Sequence, residues 1–158
     1  MNKIVFTIIL TALSITQAAI PQVHWQEYSQ ALETAKKHEM IVFVNIYAEW
    51  CVPCKVMDKT TYRDSAVVHI LNTYFLPVKI NAESEDIISC NNWPRPTDKC
   101  VKENWKLKGV PTIALIGPAG NYILSISQAL TPEQMKLILQ DFQNNRKTLL
   151  QSEPQQVK

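Results

Sequence analysis

Apolar and polar positions along this chain follow two different periods, and the switches between them mark out its elements. From Trp25 to His38, Tyr28, Ala31, Leu32 and Ala35 recur at i, i+3, i+4 and i+7, with charged and amide residues on the other face. That spacing predicts an amphipathic helix. Met40 to Tyr47 (MIVFVNIY) is then almost continuously apolar and rich in β-branched and aromatic residues, interrupted only by Asn45. Eight such residues predict a central strand covered on both faces. The segment Ala48 to Lys55 leads into a second helix, and Pro53 suits its first turn, where a missing N–H costs nothing. A third helix is predicted over Ser65–Tyr74, with Asp64 as N-cap and Ala66, Val67, Ile70, Leu71 and Tyr74 as its apolar stripe. Phe75–Asn81 reads as a second strand.

Residues 84–99 break this rhythm. Asn91, Asn92, Pro94 and Pro96 predict an irregular loop, with Cys90 before and Cys100 after it, followed by a short helix near Lys99–Lys106. Ile113–Ile116 and Tyr122–Ile126 are apolar runs separated by Gly117-Pro118-Ala119-Gly120-Asn121, which predicts a β-hairpin. Thr131, Pro132 and Gln134 announce a last helix, whose apolar face is Met135, Ile138, Leu139 and Phe142. Residues 146–158 form a polar tail, expected to be disordered. The order helix, strand, helix, helix, strand, helix, hairpin, helix predicts an α/β sandwich on a mixed sheet.

The chain's beginning stands apart from that fold. Met1-Asn2-Lys3 is a short basic start, Ile4–Ile15 is mostly apolar and uncharged, and Thr16-Gln17-Ala18 offers small residues for cleavage. Residues 1–18 therefore read as a secretory signal peptide, too short for a comfortable membrane span. Export of residues 19–145 as one soluble domain is the expectation. Length and composition agree with a single globular core: 158 residues, 46% hydrophobic and 19% charged. The net charge of +2 gives no basis for a nucleic-acid or anionic-membrane partner.

Export permits disulfides, and the four cysteines, Cys51, Cys54, Cys90 and Cys100, admit three pairings that spacing does not decide between. Cys51 and Cys54 stand at a strand-to-helix junction. Unpaired N–H groups and the helix dipole there favour thiolate, lowering the pKa below the free value of about 8.5. Cys51 would then attack a substrate disulfide, and Cys54, one turn along, would resolve the mixed disulfide. Trp50 and Pro53 would narrow access and stiffen the turn. A zinc site would need a second close pair, whereas Cys90 and Cys100 are ten apart, and His24, His38 and His69 are scattered. No metal, nucleotide or flavin site is expected, so electrons must come from another protein or small thiols.

Glu49-Trp50-Cys51-Val52-Pro53-Cys54-Lys55 together with Gly109-Val110-Pro111-Thr112 resembles the thioredoxin superfamily, over about Trp25 to Phe142. Val44–Asp58 is most similar to the periplasmic C-terminal domain of transmembrane thiol–disulfide interchange reductases. The resemblance implies a thioredoxin-like fold, a mixed central sheet with helices on both faces. It implies that Pro111 is a cis-proline facing the dithiol, supported by Val110. It also implies that Asp58, an acidic residue near the site, helps move the proton of Cys54.

Two departures from the family matter. Thioredoxins carry a buried aspartate six residues before the first cysteine, where this chain has Asn45. An amide takes up no proton, so Glu49, Asp58 or water must serve. Gln128 stands where a glycine is common beside the substrate groove. Cys90 and Cys100 bracket what looks like an insertion at about 84–100. They are read either as a structural disulfide or as a second redox pair, with Trp93 as a lid or a packing residue. The implied function is reduction of disulfides in exported periplasmic proteins, with electrons from a membrane-embedded thiol–disulfide donor. An oxidase or isomerase using the same pair, and a non-catalytic binding or chaperone-like module, are the alternatives.

Overall fold

The computed structural model describes residues 20–151; the expected signal peptide, residues 1–18, lies outside them. A four-stranded sheet in the order β2-β1-β5-β6 forms the middle layer. β1 (Ile41–Tyr47) pairs in parallel with β2 (Phe75–Asn81) and antiparallel with β5 (Thr112–Ile116). β6 (Tyr122–Ile126) closes the other edge as the hairpin partner of β5. The sheet is therefore mixed, as expected. β1 lies inside it and reads as one apolar run because both faces are covered. Its side chains alternate between two cores, as strand geometry requires.

Ile41 and Phe43 enter a core built with α3 (Ser65–Tyr74) and α5 (Pro132–Asn144), to which Val67, Leu71, Met135 and Leu139 contribute. Val42, Val44 and Ile46 enter the opposite core, with Tyr28, Ala31 and Ala35 of α1 (Tyr28–His38). Burying one side chain of this size contributes about 1.5–3 kcal/mol, so each face is a substantial fraction of the stability. The predicted caps form. Asp64 accepts from the backbone N–H of Ala66 and Val67, and Thr131 and Gln134 make a reciprocal capping box. α1 starts three residues later than the apolar spacing suggested. Trp25 and Gln26 lie outside the helix instead, and Gln26 bridges to Val78 on β2.

Two expectations are corrected. Residues 84–99, expected as an irregular loop, are regular from Ile87 onward. β3 (Ile87–Cys90) and β4 (Trp93–Pro96) form a two-stranded antiparallel hairpin. The turn is Asn91-Asn92, at φ 49° and 70°, and consecutive left-handed residues suit the right-handed strand twist. Pro94 and Pro96 are tolerated because a two-stranded sheet is all edge. α4 (Thr97–Lys99) and a π-helical turn over Cys100–Asn104 follow. The second correction concerns the described part of the tail, residues 146–151; residues 152–158 lie outside the described residues. Arg146–Gln151 is helical (α6), because Leu149 and Leu150 pack back on the α3/α5 core.

Candidate active site

The geometry follows from the end of β1. Its backbone turns after Tyr47, where the Cys51 N–H donates to the Ala48 carbonyl (3.1 Å), and α2 (Val52–Lys59) begins at once. Cys51 is the N-cap of α2, with Pro53 in the first turn. Cys51 and Cys54 are joined by a disulfide. The backbone N–H of Cys54 donates to the Cys51 sulfur at 3.2 Å. In the reduced protein that same donor would face a thiolate, and a hydrogen bond to the charged form stabilises it.

The oxidised pair is nearly enclosed. Cys51 is 1% and Cys54 4% exposed; they form a small cluster with Ala48, on which the half-buried side chains of Tyr47 and Val110 pack. Trp50 and Val52, by contrast, are 65% and 68% exposed beside the pair. The Val110–Pro111 peptide bond is cis and Pro111 is buried. The strand that follows is held by Thr112, whose hydroxyl donates to the Gly109 carbonyl (2.6 Å) and is hydrogen-bonded to Ser127 (2.7 Å). Gln128 is exposed just beyond.

Charged groups line one flank. Asp58, one turn after Cys54 on α2, accepts from Lys79 Nζ at 2.7 Å. Lys79 also lies over the Tyr47 ring, 4.6 Å from its centroid. The Tyr47 phenol is raised above its ordinary pKa by partial burial, then by the charge of Glu49 and a hydrogen bond to it, and by Asp58. Tyr62, behind Asp58, is raised further by burial and then by the Asp58 charge, and its hydroxyl is buried without a hydrogen-bond partner. Asn45 is buried on the same side of β1 as Phe43, toward the core that contains Met57 of α2.

The structure thus packs Val110 on the cluster of Ala48, Cys51 and Cys54, places Asp58 and Glu49 around Tyr47, and ties Trp50 to Glu83. The Trp50 indole N–H donates to Glu83 Oε1 at 2.9 Å. Tyr47, Lys79 and Glu83 were missed from the sequence. Lys79 left a signal, a lone cation inside the otherwise apolar FLPVKIN strand; Glu83 left none. Cys90 and Cys100 form a second disulfide, both fully buried in the α1-side core with Trp105. Among the described residues no group of three or more His, Cys, Asp or Glu is arranged to hold a metal ion.

Comparison with known proteins agrees with this geometry. A family model described as "Thioredox_DsbH: Protein of unknown function, DUF255" matches residues 11–92. The thiol:disulfide interchange protein DsbD of Pseudoalteromonas atlantica is 29% identical over 98 residues, 61% of this chain and 15% of that protein. The chain therefore matches only a small part of that relative's length. A Thermus thermophilus thioredoxin superposes with a TM-score of 0.63 at 18% identity, covering 78% of this chain and 89% of that one. The reduced C-terminal domain of Neisseria meningitidis DsbD gives 0.53 at 18% identity, covering 72% and 91%. The fold is that of thioredoxin, and a linked CxxC pair at a helix start supports thiol–disulfide oxidoreductase chemistry in general.

Proposed function

We propose, from the premise that this chain belongs to the Thioredox_DsbH family of thioredoxin-fold proteins, that it is a periplasmic reductase of disulfides in exported proteins. Cys51 is the attacking residue and Cys54 the resolving one. The observation that carries this reading is the N-cap position of Cys51, with its sulfur on the Cys54 N–H. In the forward reaction the Cys51 thiolate attacks one sulfur of a substrate disulfide, whose S–S bond breaks. The other substrate sulfur leaves as a thiolate and takes a proton. Cys54 then loses its proton and attacks the Cys51 sulfur, releasing the second substrate thiol. Two electrons have passed to the substrate, and the Cys51–Cys54 disulfide is restored. A membrane-embedded dithiol protein returns the pair to the dithiol by the same exchange, a role supported by the resemblance to DsbD.

Asn45 accepts no proton, so we assign the deprotonation of Cys54 to Asp58, one turn along the same helix and held by Lys79. Pro111 presents backbone to the incoming substrate, while Val110, Glu49, Trp50 and Pro53 shape the approach. Cys90 and Cys100 are packed inside the α1-side core beside Trp105, whereas Cys51 caps a helix start; that placement favours a structural brace over a second redox pair.

The deciding measurement is the reduction potential of the Cys51/Cys54 couple in glutathione buffers. A value near about −250 mV supports the reductase, and one above about −150 mV sinks it in favour of an oxidant. Cys51→Ala must also abolish catalysis of insulin reduction by dithiothreitol; unchanged catalysis would leave only a binding module.

A further inference from the structure

The corrected hairpin creates a surface that the thioredoxin fold alone would not have. Between it and the edge of β2 lies a cleft of about 550 Å³, whose walls include Tyr47, Lys79, Asn81, Ser84, Asp86 and Ile87. Tyr47 belongs to two environments at once. It walls this cleft and also packs on the small cluster formed by Ala48, Cys51 and Cys54, so the cleft adjoins the active-site end of β1. Ile87 is 64% exposed although it sits in a paired strand.

The charges around this cleft are one-sided. Glu27 and Asp86 line it, and Glu83 and Glu85 lie in the chain just before Asp86. None of the ion pairs among the described residues engages any of these four carboxylates. Lys79, the cation on the wall, is already paired with Asp58. Two carboxylates outside any ion pair among the described residues, on a mixed polar and apolar lining with Ile87 exposed, favour a segment that brings both cations and an apolar side chain.

We propose that this cleft seats an extended segment of the disulfide-bearing substrate, in which apolar and basic residues alternate near the reacting cysteine. The inference rests on the redox reading of Cys51 and Cys54 and adds a substrate class to it. Ile87 takes the apolar side chain, and Asp86 and Glu27 face the cations. In an extended segment alternate side chains point to opposite sides, so apolar and basic positions can meet Ile87 and the carboxylates in turn.

The test uses two peptides with a central cysteine capped by 2-mercaptoethanol as a mixed disulfide. One is flanked by Leu and Lys, the other by Leu and Glu, and 2-hydroxyethyl disulfide serves as a small neutral control. The reduced enzyme is expected to prefer the Lys peptide about tenfold in kcat/KM, with the preference lost in 0.5 M NaCl. Asp86→Lys should bring the two peptides to parity. Glu27→Lys should narrow the gap without touching the hairpin, since Glu27 makes no side-chain capping bond to α1. Ile87→Ser should slow both peptides about threefold and leave the control unchanged. Equal rates for the two peptides, or a preference that survives the charge variants, would overturn the cleft while reduction of the control keeps the redox reading. If the control is not reduced, the redox reading fails. The cleft is then judged by binding of the same peptides with Ser for Cys: a tenfold tighter Kd for the Lys form upholds it, and equal Kd values reject it.

Discussion

Removing the second disulfide separates a brace from a relay. Cys90 and Cys100 close a short loop of ten in sequence separation, and both are fully buried. In the chain-entropy account a loop of that size destabilises the unfolded chain by about 3 kcal/mol. Replacing both by Ala leaves two small voids in the α1-side core, adding about 1 kcal/mol of lost packing. The double Cys90→Ala, Cys100→Ala protein, with Cys51–Cys54 kept oxidised, should therefore be about 3–4 kcal/mol less stable in urea unfolding. Its potential at Cys51/Cys54 should move by less than about 30 mV, equivalent to 1.4 kcal/mol for a two-electron couple. The hairpin reaches the active site through the Trp50–Glu83 hydrogen bond at the exposed surface, and one such bond contributes about 1 kcal/mol. A loss of stability below about 1 kcal/mol would refute the brace. A larger shift in potential would mean that the two pairs are coupled.

Three further outcomes are expected. Asp58→Asn should slow resolution of the Cys51 mixed disulfide by about 10²-fold at neutral pH, measured by quenched flow, while the first attack keeps its rate. An unchanged second step would remove Asp58 from proton transfer. Val110→Ala should raise the rate at which dithiothreitol reduces the enclosed pair several-fold, by opening the contact over Cys51 and Cys54; an unchanged rate would show that this side chain does not limit access. Tyr28, Tyr47 and Tyr62 all have folded pKa values above their unfolded ones, so the folded state holds their protons more tightly. Their contribution is whole below about pH 10 and is lost as pH rises beyond it. Stability should fall steeply above that pH, and Tyr62→Phe should flatten the fall while costing little at pH 7, since its hydroxyl has no partner.

Most of the fold was legible because its signals are local. The α3 cap and limits, the extents of β2 and β6, and the capping box of α5 all follow from residues within four positions of one another. The hairpin at β3–β4 was missed because Pro94 and Pro96 argue against a strand, and only an isolated two-stranded sheet makes them harmless. Asn91-Asn92 between Cys90 and Trp93 was the available signal, a two-residue turn of residues that tolerate left-handed backbone. The α6 turn was missed because Leu149 and Leu150 are only two apolar residues in a polar stretch. They order it by packing on a core that the local sequence does not contain.

The sequence by itself determined the local setting of the site: a cysteine pair at a strand-to-helix junction, with Pro53 in the first turn and Asn45 in the strand before it. Only the tertiary structure decided the pairing of the four cysteines and the company that Cys51 and Cys54 keep. Asp58 meets Lys79 across 21 residues, and Trp50 meets Glu83 across 33. Periodicity and capping depend on neighbours along the chain. These contacts depend on where the path through α2 and α3 returns β2 beside β1, which no window of neighbouring residues specifies.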